Sequence, residues 1–95
     1  MKLTDEIVDS LVETIQDHLS IYQEEGDFDI ISMESTINDL SDGKFQEIEI
    51  KIKYRASGES DTQTTTYYKS VYENSISELE TVIFDDIMDI VYPED

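Results

Sequence analysis

Cysteine and tryptophan are missing from this chain of 95 residues. Without thiols there is no disulfide, no thiolate metal site and no cysteine nucleophile, a composition that fits a reducing compartment. Proline occurs once, at Pro93, and glycine three times, so no linker or glycine-rich phosphate loop is expected. His18 is the only histidine; between Ile15 and Leu19 on a helix it suits the rim of a core better than catalysis. Neither G-x-S-x-G nor H-E-x-x-H spacing occurs. No stretch approaches the roughly 20 apolar residues of a membrane span, and the opening MKLTDEIVDS has no apolar core of signal-peptide length. A non-enzymatic, cytoplasmic protein without metal or cofactor is expected.

Positive charge is the scarcest feature. Six Lys and Arg face 24 Asp and Glu, a formal net charge of −18, whereas a magnitude of about 2 to 8 suffices to keep a small domain soluble. Self-repulsion on that scale opposes compaction, so it points to a role beyond solubility. Nucleic acid and anionic membrane would be repelled, leaving a basic protein as the complementary partner. The chain should nevertheless fold, because 38% of it is apolar, with six Tyr and three Phe. Its length suits one domain with one core.

Periodicity gives the order of elements. Ile7, Val8, Leu11, Val12, Ile15, Leu19 and Tyr22 keep helical spacing, with Thr4 as N-cap, a staple between Leu3 and Val8, and Gly26 as a stop, so a helix is expected over 5–25. DFDIISMESTI (27–37) alternates imperfectly and predicts a strand; SDGK (41–44) predicts a turn around Gly43. FQEIEIKIKYR (45–55) alternates cleanly, with Ile48, Ile50, Ile52 and Tyr54 on a core face and Glu47, Glu49, Lys51, Lys53 and Arg55 on a wet one. TQTTTYYKSVY (62–72) predicts a third strand. SISE (75–78) is a capping box opening a helix over 75–91 that Pro93 terminates. The expected fold is α+β, a three-stranded antiparallel sheet flanked by N-terminal and C-terminal helices. The second helix is apolar over roughly two thirds of its circumference, more than one sheet covers, so a homodimer through Phe84, Ile87, Met88 and Val91 is expected.

The charge is unevenly placed. From Leu3 to Gly43 there are twelve acids and no Lys or Arg, and from Ser70 to Asp95 eight acids and again none. Five of the six bases fall between Lys44 and Lys69, so the helices are purely anionic while the wet sheet face is mixed. Asp5, Asp9, Glu13 and Asp17 recur every four residues, suggesting a stripe, and further acids stand at Glu24, Glu25, Asp27, Asp29, Asp39, Asp42, Glu78, Asp85 and Asp89. Like charges four apart cost a few tenths of a kcal/mol per pair, so local stability would favour interleaved Lys. Neither DDIMD (85–89) nor GDFDI (26–30) has calcium-loop spacing. TTTYYKSVY (64–72) resembles an aromatic stacking platform but lacks basic neighbours.

These features together resemble the phage-encoded DNA mimics, small acidic inhibitors of CRISPR nucleases, uracil-DNA glycosylase, restriction enzymes and the histone-like nucleoid protein HU. The resemblance to the group covers the whole chain in size, charge and element order, and among its members the chain looks most like the Bacillus phage inhibitors of HU, which are likewise small, acidic and associated with dimers. The resemblance implies a host-takeover protein in the infected bacterial cytoplasm. Its carboxylates at Asp5, Asp9, Glu13, Asp17, Glu24, Glu25, Asp27, Asp29, Glu78, Asp85 and Asp89 would take the place of DNA phosphates on HU, with a CRISPR nuclease, a glycosylase or RNA polymerase as other targets. Two further readings compete: acids that merely solvate exposed faces, and a structural or regulatory interaction domain that binds through the apolar face of the second helix.

Overall fold

A computed structural model describes residues 2–40, 45–71 and 75–93. The turn expected over 41–44, including Asp42 and Gly43, and the end of the third strand at Tyr72 lie outside the described residues. The elements are α1 (Asp5–Gly26), β1 (Asp29–Leu40), β2 (Phe45–Arg55), β3 (Gln63–Val71) and α2 (Ile76–Val91). The strands form an antiparallel sheet in the order β1-β2-β3, which is the expected α+β arrangement.

Both helices start at the expected caps. Thr4 Oγ1 accepts from the Ile7 N–H at 3.3 Å and Ser75 Oγ accepts from the Glu78 N–H at 3.2 Å, each satisfying one amide that has no partner within its helix. Leu3 and Val8, the expected staple, are both buried. The end of α1 differs from the expectation. Gly26 stays helical and buried, and it is Asp27 that takes the left-handed conformation (φ 53°, ψ 42°), which Asp tolerates better than most residues. The Phe28 N–H then closes back on the Gln23 carbonyl at 3.2 Å. Glycine is needed at 26 for space: a Cβ there would lie 2.5 Å from Cε1 of the fully buried Phe28. The first strand therefore begins at Asp29, and it continues past Ile37 because Asn38, Asp39 and Leu40 still pair with Glu47, Gln46 and Phe45. Its imperfect alternation reflects a bulge: the register shifts between Ile30 and Ser32, leaving Ile31 half exposed.

β2 carries the floor of the core. Ile48, Ile50 and Ile52 are fully buried and Tyr54 nearly so, because both helices lie on that face. Asp9 of α1 accepts from Ser35 of β1 at 2.9 Å, and Asp86 of α2 accepts from Tyr67 of β3 at 2.5 Å. One helix thus covers β1, the other covers β3, and their seam runs above β2. Burial, reinforced by the neighbouring Asp86 carboxylate, pushes the Tyr67 phenol well above its ordinary value. At the start of this central strand Gln46, 7% exposed, clamps the Leu3 backbone by donating to its carbonyl (2.9 Å) and accepting from its N–H (2.8 Å).

The seam also explains the wide apolar arc of α2. Leu79, Ile83, Ile87 and Val91 are each 0 or 1% exposed within a single chain, since α2 packs on the sheet and on α1 at once. Ile87 and Val91 belong to this internal core and not to a dimer interface, which corrects the expectation drawn from the isolated helix. Phe84 and Met88, also expected there, are half-buried along the seam.

Candidate anionic interface

Four chain reversals separate α1 from α2, so the two helices run parallel. Contacts along the seam follow suit: Ile7, Leu11 and Thr14 share a groove with Ile76 and Glu80. Further along, His18 meets Phe84 edge-on at 6.2 Å, and Tyr22 meets Phe84 at 6.0 Å and shares a cleft with Met88 and Tyr92. Both N-termini lie at one end of the molecule and both C-termini at the other.

The acids on α1 do not form the straight stripe that four-residue spacing suggests. A step of four at about 100° per residue over-rotates by about 40°, so the series winds round the helix. Asp5 and Asp9 sit on the flank beside β1, where Asp9 is bonded to Ser35, whereas Glu13 and Asp17 reach the outermost line. Spacings of seven and four keep to one line, and they pick out Glu6, Glu13, Asp17 and Glu24 on α1, with Glu78, Asp85 and Asp89 on α2. All seven are exposed. Sequence reasoning passed over Glu6; its heptad distance from Glu13 was the available signal. The structure thus places two parallel carboxylate rows, of about 6 and 10 Å internal spacing, on helices whose axes pack about 8–10 Å apart.

Neither helix carries Lys or Arg, and neither has a basic residue in its last turn. The carboxylates of Asp5 and Glu6 and that of Glu78 stand in first turns, where the positive end of the helix dipole stabilises them. Those of Glu24, Glu25 and Asp89 stand at the carbonyl ends, where the dipole opposes them. The loop after β2 reaches the same end, its Ser57 N–H donating to the Val91 carbonyl at 2.8 Å. Gly58, at φ 81°, makes the turn there that a side chain would strain. Glu59 and Asp61 of that loop add two exposed carboxylates.

A cation stands at the same end. Arg55, its side chain 24% exposed, lies 3.0 Å from Asp29 and 3.6 Å from Asp27, and donates to the carbonyls of Asp27 and Glu59. Asp27 and Asp29 are therefore partly neutralised, contrary to their reading as part of a base-free segment. No local pattern announces this clamp, because β2 brings Arg55 from far along the chain. His18 lies 3.8 Å from Glu80 on a rim site, half exposed. Glu78 accepts from the Ser75 hydroxyl at 3.1 Å, so it caps its helix as well as facing outward. Asp5, Glu13, Asp17, Glu24, Glu25, Asp85 and Asp89 are exposed, and Asp39 sits at the sheet edge with Gln46 donating to it at 3.2 Å.

The opposite surface of the molecule is the open face of the sheet. There Lys51 and Lys53 stand across from Glu34 and Ser32 and follow Glu47 and Glu49 along the same strand, so the charge is mixed. Among the described residues no cluster of His, Cys, Asp or Glu has the geometry to hold a metal ion, and no helix is long and apolar enough to cross a membrane. The chain matches no family model, no curated protein and no solved structure.

Proposed function

We propose that the helical layer is a surrogate for a nucleic-acid backbone. It would occupy the DNA-binding site of a basic DNA-binding protein and so block access to DNA during phage infection. The reading is carried by one observation: two parallel helices turn rows of carboxylates outward with no Lys or Arg among them, including acids at the carbonyl ends of both helices. Chain stability gains nothing from the acids at the carbonyl ends, whereas binding to a groove lined by Lys and Arg would. The field would speed encounter, and the carboxylates would then pair with cations that otherwise meet phosphate. The nucleoid protein HU is the preferred target, on the resemblance in size and charge.

Competition for a labelled duplex bound by purified HU tests this reading. Displacement at low salt is expected, declining steeply between about 50 and 200 mM salt as the contacts on both sides are screened. Failure to displace the duplex from HU would discard that target. Failure against any basic protein retained from a bacterial lysate at low salt would discard the mechanism. The alternative, binding through the apolar face of α2, is narrowed by the burial of Leu79, Ile83, Ile87 and Val91 to the exposed Ile76 and Val82 and the half-buried Phe84, Met88 and Ile90.

A further inference from the structure

Where the two helices end, the seam opens into a cleft of about 250 Å³ lined by Tyr22, Glu25, Gly26, Phe28, Met88 and Tyr92. Tyr22 is 44% and Tyr92 40% exposed, while Phe28 forms a fully buried floor. The space is below the roughly 300–1,000 Å³ of a small-molecule pocket and suits one or two apolar side chains. Met88 is a wall able to repack around different shapes. Glu25 lines the cleft, Asp85 and Asp89 stand within a turn of Met88, and the carbonyl ends of both helices face the same end.

From this juxtaposition we infer that the cleft receives an apolar side chain of a protein partner, flanked in that partner by Lys or Arg. The charge of the rim selects the occupant. A second copy of this chain docked through the same end would bring Glu25, Asp85 and Asp89 against their own kind with no base on either helix to answer them, and like-charge juxtaposition selects against it. A cationic segment meets the same carboxylates and both dipoles favourably. This inference rests on the proposed anionic reading and adds selectivity to it. Carboxylate rows grip any basic groove, whereas the cleft distinguishes partners that carry an apolar residue among their cations.

Two synthetic peptides of equal charge test it, an oligolysine and an amphipathic lysine peptide with Leu and Phe on one face, each titrated by fluorescence anisotropy. Both are expected to bind at about 50 mM salt; at about 200 mM the amphipathic peptide should keep a preference of about tenfold. Met88→Gln, which preserves side-chain length, and Tyr22→Ser should each reduce that preference severalfold and leave oligolysine binding unchanged, with thermal melting checking that the variants fold. Equal affinities at both salts, or a preference that survives both substitutions, would overturn the inference while leaving the anionic reading standing. Self-association that excludes the amphipathic peptide would overturn it in favour of a second copy. If neither peptide binds at low salt, the anionic reading falls as well.

Discussion

The outer surface of the helical layer and the open face of the sheet are both wetted, yet they are built differently. On the sheet face, Lys51 and Lys53 share a strand with Glu47 and Glu49 and stand across from Glu34 and Ser32. On the helices, no base is present and acids occupy the end of each helix where a cation would be stabilising. A need for solubility alone would act on both surfaces alike. The contrast teaches that the excess charge is a property of one face, so that face is where a partner is to be sought.

Charge reversal offers the most direct way to break the comparison. Asp17→Lys combined with Asp85→Lys should weaken displacement of DNA from a basic partner by about tenfold to a hundredfold, measured as the half-maximal competing concentration. Glu47→Lys combined with Glu49→Lys, on the other face, should leave it within twofold or so. Equal losses from both pairs would show that net charge alone matters.

The seating of the helical layer can be disturbed at Gly26. Alanine would gain helix propensity but must push into the Phe28 ring, so a net loss of about 1–3 kcal/mol is expected in urea unfolding. A neutral or stabilising result would mean that Phe28 can withdraw from beneath the cleft.

At β3, Tyr67 sharpens the picture of how α2 is held. Its phenol is raised in the folded chain, so the neutral form is favoured by folding. The stabilisation is complete below the unfolded value near pH 10 and is lost as pH rises beyond it. Thermal melting of Tyr67→Phe should therefore show a shallower alkaline decline than the parent, with little difference in the shape of the neutral range.

The smallest expected effects concern the helix ends. Glu24→Gln or Asp89→Asn should each stabilise by about 0.3–1 kcal/mol at low salt, seen as a rise in Tm, whereas Glu78→Gln at the start of α2 should destabilise by a similar amount. Opposite signs would mean that local bonds outweigh the dipole.

Much of this was legible in the sequence, for reasons that vary with the residue. The faces of β2 follow from strict alternation between Glu47 and Arg55, and Thr4 and Ser75 are caps because local hydrogen bonding decides them. Long-range geometry was not legible. The apolar arc of α2 counts buried residues but not neighbours, so the part of it that α1 covers, Ile87 and Val91, was not separable from the part left near the surface. Arg55 and Gln46 make their decisive contacts through the sheet register, out of reach of any local pattern. Gly26 reads as a stop in the sequence, but the crowding at Phe28 uses that glycine for space and leaves Asp27 to turn the chain.

The parallel course of the helices has one more consequence. At 1.5 Å per residue the 22 residues of α1 extend about 33 Å, longer than either minor extent of a molecule measuring 42 × 25 × 22 Å, so its axis follows the long dimension. Peptide dipoles that would cancel in an antiparallel pair add along that axis instead. In the field of a cationic partner of the kind proposed, that summed dipole would add a torque turning the carbonyl end forward before contact. Part of the rotational search would then be completed during diffusion, with the cleft leading.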